Sequence, residues 1–382
     1  MESFIINKNN PRESTWTSEK INKNLEDGQI LFKIRSFSFT ANNVSYITTG
    51  DKLGYWQFFP AQKEDFGKVP VWGFAEVEAS KHQDIKVGDN FYGYFPPSSH
   101  LIVSAGEVKK YGFNDISTHR KHLPAVYNSY INTQFDNFYT PETEYFQAIF
   151  RPLFITSFLI DVFLRENNFF EAKNIILTSA SSKTAYALAF LLKENKKNNI
   201  NSPKIIGLTS DNNLRFTEKL NCYDEVFTYS TIKNLPLSTT CVVDFAGNQN
   251  IHFDLQTHLE SLLSYNCLVG AVHWEHTQNT KPLQNKGKFF FAPVYVQKYI
   301  QEWGQAMFQN KIAESWQLFI KNAIPFINIV ASKDKNELLN VYQAILDGKY
   351  PAEKTCRDKK REKRGFASFF SLFWLCALHD ST

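Results

Sequence analysis

From residue 30 the chain alternates. In Ile30-Leu-Phe-Lys-Ile-Arg-Ser-Phe37, Ile30, Phe32 and Ile34 interleave with Leu31, Lys33 and Arg35, the period-two pattern of a strand with one buried face. Corners follow at Thr49-Gly50-Asp51, Val87-Gly88-Asp89 and Pro96-Pro97-Ser98-Ser99, where Gly and Pro supply the backbone angles of tight turns. Residues 30–108 are therefore predicted as a compact, mostly β region. After Pro141 the pattern changes. Residues 146–164 form an apolar helical stretch, and short apolar runs then recur at 174–178, 204–209, 225–229, 241–245 and 267–272. Helical stretches at 183–193, 212–220 and 253–263 separate most of them, and the Lys/Asn-rich residues 193–201 read as a solvated loop. A short apolar run without alternation is what a strand covered on both faces looks like. The second half thus predicts a parallel sheet with crossover helices, and the fold class is α/β: a Rossmann-type doubly wound sheet plus a β-rich domain.

Length and composition sharpen this picture. The 382 residues suit two domains, and 43% apolar against 21% charged residues excludes a largely disordered chain. Phenylalanine, at 35 copies, points to a bulky core or apolar clefts. Of the formal net charge of +4, three charges lie in residues 355–382; the body has no basic stripe, and no nucleic-acid partner is expected. The five cysteines (Cys222, Cys241, Cys267, Cys356 and Cys376) form no C-x-x-C pair and read as reduced thiols. Residues 1–16 lack the basic start and apolar run of a signal peptide, and no apolar run reaches the ~18 residues of a membrane-spanning helix. A cytoplasmic protein without a membrane span is expected.

In a doubly wound sheet the ligand lies beyond the carboxyl ends of the strands, and the turn after the first strand meets a phosphate at the next helix's N-terminus. Here that turn reads Thr178-Ser-Ala-Ser-Ser-Lys-Thr-Ala185, without glycine, where a dinucleotide fingerprint would carry G-x-G-x-x-G. Ala180, Ser181 and Ala185 are small enough for a near approach, while Ser179, Ser182, Lys183 and Thr184 offer hydrogen bonds and charge. The alternative is ordinary strand-to-helix capping by Ser181 or Ser182. Ser182-Lys-Thr184 also matches the end of a nucleotide-triphosphate loop, but Leu177 and Ser182 stand where that loop needs glycine. At the tip of the second strand, Thr209 and Ser210, with Arg215 just beyond, favour a 2′-phosphate and hence NADP(H), while Asp211 keeps NAD(H) open.

This order of features resembles the medium-chain dehydrogenase/reductase superfamily, in which a chaperonin-10-like β domain precedes a Rossmann domain and the chain then returns to the first domain. The likeness is carried by Thr40-Ala-Asn-Asn-Val-Ser-Tyr46, Val69-Pro-Val-Trp-Gly-Phe-Ala-Glu-Val77, Ile85-Lys-Val-Gly-Asp-Asn-Phe91, Leu220-Asn-Cys-Tyr-Asp-Glu-Val-Phe-Thr-Tyr229 and Val243-Asp-Phe-Ala-Gly247. Within the superfamily the chain is similar to an uncharacterised family, a domain of unknown function, in Arg151-Pro-Leu-Phe-Ile-Thr-Ser157, the Ser179 to Ala185 turn, Gly270-Ala-Val-His-Trp-Glu275, Phe290-Phe-Ala-Pro293 and Glu302-Trp-Gly304.

The resemblance implies a β-rich substrate domain at 1–145, a Rossmann-type domain at 146–323 and a return at 324–354. It adds Gly247, Gly270, Phe291 and Pro293 to the cofactor wall and sets Tyr229 on its adenosine side. His273 becomes a candidate proton donor or a wall residue, and Tyr46 a second acid candidate or a packing residue. Zinc members of the superfamily hold a metal with Cys and His. Here no Cys precedes residue 222, Phe74 occupies the usual His position and the clustered cysteines of the structural lobe are missing, so no metal is expected. His119 and His122 read as a solvated loop, and the chance spacing of Tyr229 and Lys233 lies on the wrong element for a short-chain reductase pair.

The implied activity is a zinc-independent, NADP(H)-linked oxidoreductase acting on a small-molecule carbonyl or activated alkene, with a homodimer as an assembly this reading admits. The alternative is a catalytically inactive reductase-like protein that binds a nucleotide or a partner. Residues 355–382, basic and then apolar over 366–378, depart from the apolar last strand of the superfamily. They are expected to lie outside the fold as a loose tail.

Overall fold

The computed structural model describes residues 1–197, 202–269, 287–332 and 334–359. Strands β1 (Glu2–Asn7), β2 (Ser14–Ser18) and β4 (Phe66–Gly67) make a small sheet that leans on a larger one. The larger sheet begins with β3 (Gln29–Phe39), β5 (Val71–Ser80), β6 (Asn90–Phe95), β7 (His100–Lys109), β8 (Gly112–Asp115) and β9 (Ser129–Asn132). The order β3-β5-β6-β9-β8-β7 is antiparallel throughout, and β7 pairs back onto β3, so these strands close on themselves. Closure removes the exposed edges of an open sheet. Phe32, Phe91, Phe95, Phe113 and Tyr130 fill the middle, their rings meeting at centroid distances of 5.2–6.2 Å. Helix α1 (Ala41–Thr48) follows β3, capped by Thr40 and Asn43 in a reciprocal box.

Helix α2 (Glu144–Glu166) carries the chain to a second, parallel sheet. Its strands are β10 (Asn174–Thr178), β11 (Lys204–Thr209), β12 (Glu225–Thr228), β13 (Thr240–Asp244), β14 (Leu263–Leu268) and β15 (Gly287–Phe289), in the order β12-β11-β10-β13-β14-β15. The sequence therefore runs outward from β10 to one edge, then jumps back to β13 and runs to the other. That reversal opens a crevice at the carboxyl ends of β10 and β13. Helices α3 (Lys183–Lys196), α4 (Leu214–Lys219) and α5 (Gln249–Leu259) are the crossovers. After β15, α6 (Ala292–Trp303) and α7 (Gln305–Ala323) cover one face together with α2 and α3. By length and composition α2 could cross a membrane; it is instead mostly buried as a core helix.

The chain then returns. Strand β16 (Asn328–Ser332), helix α8 (Lys335–Leu346) and strand β17 (Lys354–Lys359) extend the closed sheet, β17 lying between β16 and β3. The boundary expected after residue 354 thus falls inside a strand, and residues 355–359 belong to the sheet. Ladder bonds join backbone groups whatever the side chains are, so the polar Lys-Thr-Cys-Arg-Asp-Lys can pair where an apolar strand was expected. The apolar run 366–378 lies outside the described residues.

The strand expected at 267–272 runs instead over Leu263–Leu268, and the helix expected at 253–263 over Gln249–Leu259. Asn248 caps that helix, and Glu260, at φ 46°, ends it. Ser264, Tyr265 and Asn266 interrupt the apolar pattern of β14. Asn266 is nevertheless buried, because its amide meets the ring of His252 on α5 at 3.1 Å. Periodicity registers polarity and has no access to such a partner. The overall fold is the Rossmann-type sheet plus a β-rich chaperonin-10-like body that the sequence predicts.

Candidate active site

A cleft of ≈ 880 Å³ lies between the two sheets. The turn after β10 forms one wall. Ser179 sits in the left-handed region, at φ 46°, where glycine would carry no steric penalty, and side-chain bonds compensate for the missing glycines. The Tyr229 hydroxyl accepts from the Ser179 N–H at 3.0 Å, and the Tyr223 hydroxyl donates to the Ala180 carbonyl at 2.7 Å. Gly207 on β11 makes room for this brace: a Cβ there would stand 3.0 Å from the Tyr223 ring and 3.1 Å from the Ala180 methyl. Ala180 is wholly buried, and Thr209 donates its hydroxyl to Ser181 at 3.3 Å from behind the turn.

The next residues open helix α3. Ser182 is its N-cap, accepting from the Ala185 N–H at 3.2 Å. The N–H groups of Ser181, Lys183 and Thr184 find no acceptor among the described residues. Free N–H groups at the positive end of a helix dipole suit a phosphate, so the residues present fit a nucleotide although the loop has no glycine. Lys183 is committed elsewhere: its ammonium donates to the carbonyls of Ala352 at 3.2 Å and Lys354 at 3.1 Å. Burial draws it down from the ordinary lysine range to about 8, with Glu353 opposing.

The facing wall is aromatic. Tyr46, Tyr55, Trp72, Tyr92 and Tyr127 line the cleft, with Arg151 and Phe138 at the α2 side. Tyr46 is buried and accepts from Trp72 Nε1 at 3.3 Å, and its ring lies 4.5 Å from that of Tyr55. Burial, and then Tyr55, raise its pKa. Such a phenol stays protonated and can donate a hydrogen bond, but it releases the proton reluctantly.

Of the sequence-derived candidates, Tyr46, Ser179, Ser181, Ser182, Lys183, Thr184, Phe291 and Pro293 line this one cleft. Ala180, Thr209 and Tyr229 lie behind it as support for the turn. Ser210 caps a short 3-10 turn and accepts from Asn213 Nδ2 at 3.1 Å, and Arg215 is exposed. Gly247 donates its N–H to Asp244 Oδ1 at 3.1 Å, fixing the loop after β13. His273 and Gly270 lie outside the described residues. Phe74 is wholly buried against Tyr92. Among the described residues no three His, Cys, Asp or Glu gather to hold a metal. Sequence reasoning missed Tyr55, Trp72, Tyr92, Tyr127, Arg151 and Tyr223 as site residues; aromatic density in residues 46–139 does not say which of the rings there face inward, and Arg151 and Tyr223 stood in segments that carry the family resemblance without assigning them a role.

Residues 37–351 match the family described as "Protein of unknown function (DUF2855)". The chain belongs to that family. A search of curated proteins finds no match for it. Among solved structures, this DUF2855 protein is similar to CurA from Vibrio vulnificus in complex with NADPH, at 10% identity and a TM-score of 0.58, covering 95% of this chain and 100% of that one. It is also similar to an enoyl thioester reductase from Candida tropicalis, in a mutant form (11% identity, TM-score 0.53, 94% and 99% covered). A third is the yhdH oxidoreductase from Salmonella enterica in complex with NADP (10%, 0.52, 94% and 100%). At these identities the likeness establishes the fold, that of the medium-chain dehydrogenase/reductases.

Proposed function

We propose that this DUF2855 protein is an NADP(H)-linked oxidoreductase that works without zinc on a carbonyl or activated alkene. The carrying observation is the single cleft that has the unsatisfied N–H groups of the α3 N-terminus on one wall and a set of phenol and indole rings on the other. Solved neighbours with this fold hold NADPH or NADP, which supports the same cofactor here.

When bound, the cofactor supplies the hydride chemistry. Ser181, Ser182, Lys183 and Thr184 would hold its phosphates, with Thr209 and Ser210 toward the 2′-phosphate and Phe291 and Pro293 along the wall. The protein's own contribution is orientation and exclusion of water. Tyr46 supplies a hydrogen-bond donor inside an aromatic enclosure, where such a bond is stronger than in water. His273 remains a candidate proton donor.

A second reading, a catalytically inactive reductase-like protein that binds a nucleotide or a partner, is favoured by two features: the Ser179 N–H is already taken by Tyr229 and Lys183 by carbonyls, which leaves the turn fewer groups for a cofactor's phosphates. Calorimetry with NADPH and NADH, then NADPH oxidation on a panel of enones and ketones, separates the readings. The expectation is tighter NADPH binding, turnover, and no stoichiometric zinc by elemental analysis. Saturable binding with no turnover would favour the second reading; equal affinities, or preference for NADH, would overturn the cofactor assignment.

A further inference from the structure

Buried polar atoms left without partners cost free energy, so where they occur a ligand is worth seeking. Among the described residues, two cleft-lining side chains have such an atom: Tyr92, at 2% exposure, and Thr355, at 1%. Tyr92 lies at the aromatic end. Its ring stacks on Trp72 at 5.5 Å and 13°, and the Arg151 guanidinium sits 4.7 Å over it.

Arg151 is also buried and lines the cleft. Its Nη1 is paired with Asp136, which Gln147 Nε2 also meets at 2.7 Å. No other acceptor for this guanidinium occurs among the described residues. Tyr92 and Arg151 thus bring to this wall a buried phenol without a partner and a guanidinium whose positive charge Asp136 already balances. Ile131, Phe138, Leu153 and Trp72 surround it with apolar surface.

Building on the proposed reading of the cleft as a substrate site, we infer that Tyr92 and Arg151 together recognise the carbonyl oxygen of an uncharged substrate, an enone or ketone whose hydrocarbon part lies among the rings. A carboxylate is disfavoured, because it would add an unbalanced negative charge to a buried site whose one cation is already paired. A thiol ester or aldehyde presents the same oxygen.

The discriminating variant is Tyr92→Phe. It removes an unpartnered hydroxyl, so the folded chain should keep or slightly raise its melting temperature, whereas a structural hydroxyl would lower it on removal. The test titrates the full chain calorimetrically with 2-cyclohexenone and with hexanoate, without cofactor. The wild type should bind the enone and bind it more tightly than hexanoate. Tyr92→Phe should weaken enone binding by about five- to tenfold, on the scale of one lost hydrogen bond, without loss of stability. Arg151→Lys, which keeps a charge beside Asp136 but loses the fork, should weaken it as well.

Unchanged enone affinity in Tyr92→Phe, tighter binding of hexanoate, or no enone binding up to roughly 10 mM would overturn the inference. The outcome is separable from the oxidoreductase reading. Enone binding through Tyr92 with no NADPH oxidation sinks that reading alone, and oxidation unaffected by Tyr92→Phe sinks this one alone.

Discussion

The ammonium of Lys183, first residue of α3, donates to the carbonyl of Lys354, first residue of β17, at 3.1 Å. One side chain thus ties the candidate phosphate-binding helix to the segment that re-enters the closed sheet. Bringing a phosphate to this helix sets two acceptors against each other for one cation.

That competition carries a pH dependence. The folded-state value of about 8 lies below the ordinary lysine range, so the positive charge is present below pH 8 and lost above it. NADPH affinity should fall by up to about tenfold between pH 7 and 9, the scale of one charge-assisted bond. Folding stability should move the other way: the unfolded chain still holds the proton above pH 8, so stability rises with pH through that window. Calorimetry and denaturant titration check the two trends. Both should flatten in Lys183→Met, and a wild-type NADPH affinity that does not change with pH would remove Lys183 from the phosphate site.

Tyr223 and Tyr229 brace the same turn with opposite bonding roles. Tyr223→Phe leaves the Ala180 carbonyl without its 2.7 Å partner and should cost about 1–2 kcal/mol of stability by urea denaturation. Tyr229→Phe instead releases the Ser179 N–H and should tighten NADPH binding if that N–H can turn to a phosphate. Weaker binding in Tyr229→Phe would mean that the hydroxyl itself meets the cofactor.

Arg120 is wholly buried, 3.4 Å from Asp115, with its Nε on Asn128 at 2.7 Å and its Nη1 on the Tyr130 hydroxyl at 3.1 Å. Removing one member of a buried pair strands the other charge. Arg120→Ala should cost about 3–5 kcal/mol, measured by chemical denaturation. A loss below about 1 kcal/mol would show that water reaches the pair.

The strand β17 supplies a truncation test. A chain ending at Lys359 keeps the pairing of β17 with β3 and β16 and should retain its circular dichroism spectrum and cooperative melt. A chain ending at Glu353 loses both ladders, leaves an edge on β3 and should melt at a lower temperature or precipitate. Equal melting temperatures would show that the ladder contributes nothing.

What could be read from the sequence divides along physical lines. The doubly wound sheet was legible because β10, β11 and β13 are nearly continuous apolar runs, and a run covered on both faces needs no knowledge of its neighbours. Strand β14 was misplaced because the Asn266 amide nitrogen finds its partner, His252, on another element, and the polar β17 was missed because backbone pairing leaves no mark in composition. The turn after β10 was picked out as a candidate site from its position alone, yet its support by Tyr223 was invisible, since that bond joins residues 43 apart. Arg151 stood inside one of the quoted segments and Tyr92 one residue beyond another, but which rings face a cleft is settled only when α2 crosses the closed sheet.

The pairing of β17 with β3 also sets an order of events during synthesis. The strands of the closed sheet up to Asn132 emerge first, but the partners for the far half of β3 arrive more than 200 residues later. At about 5–20 residues per second, the exposed half of β3 waits on the order of 10 to 40 s, during which the parallel sheet can form on its own. Protection of that edge by a chaperone, or by the small β1-β2-β4 sheet, would then govern the yield of folded chain more than the stability of the finished molecule does.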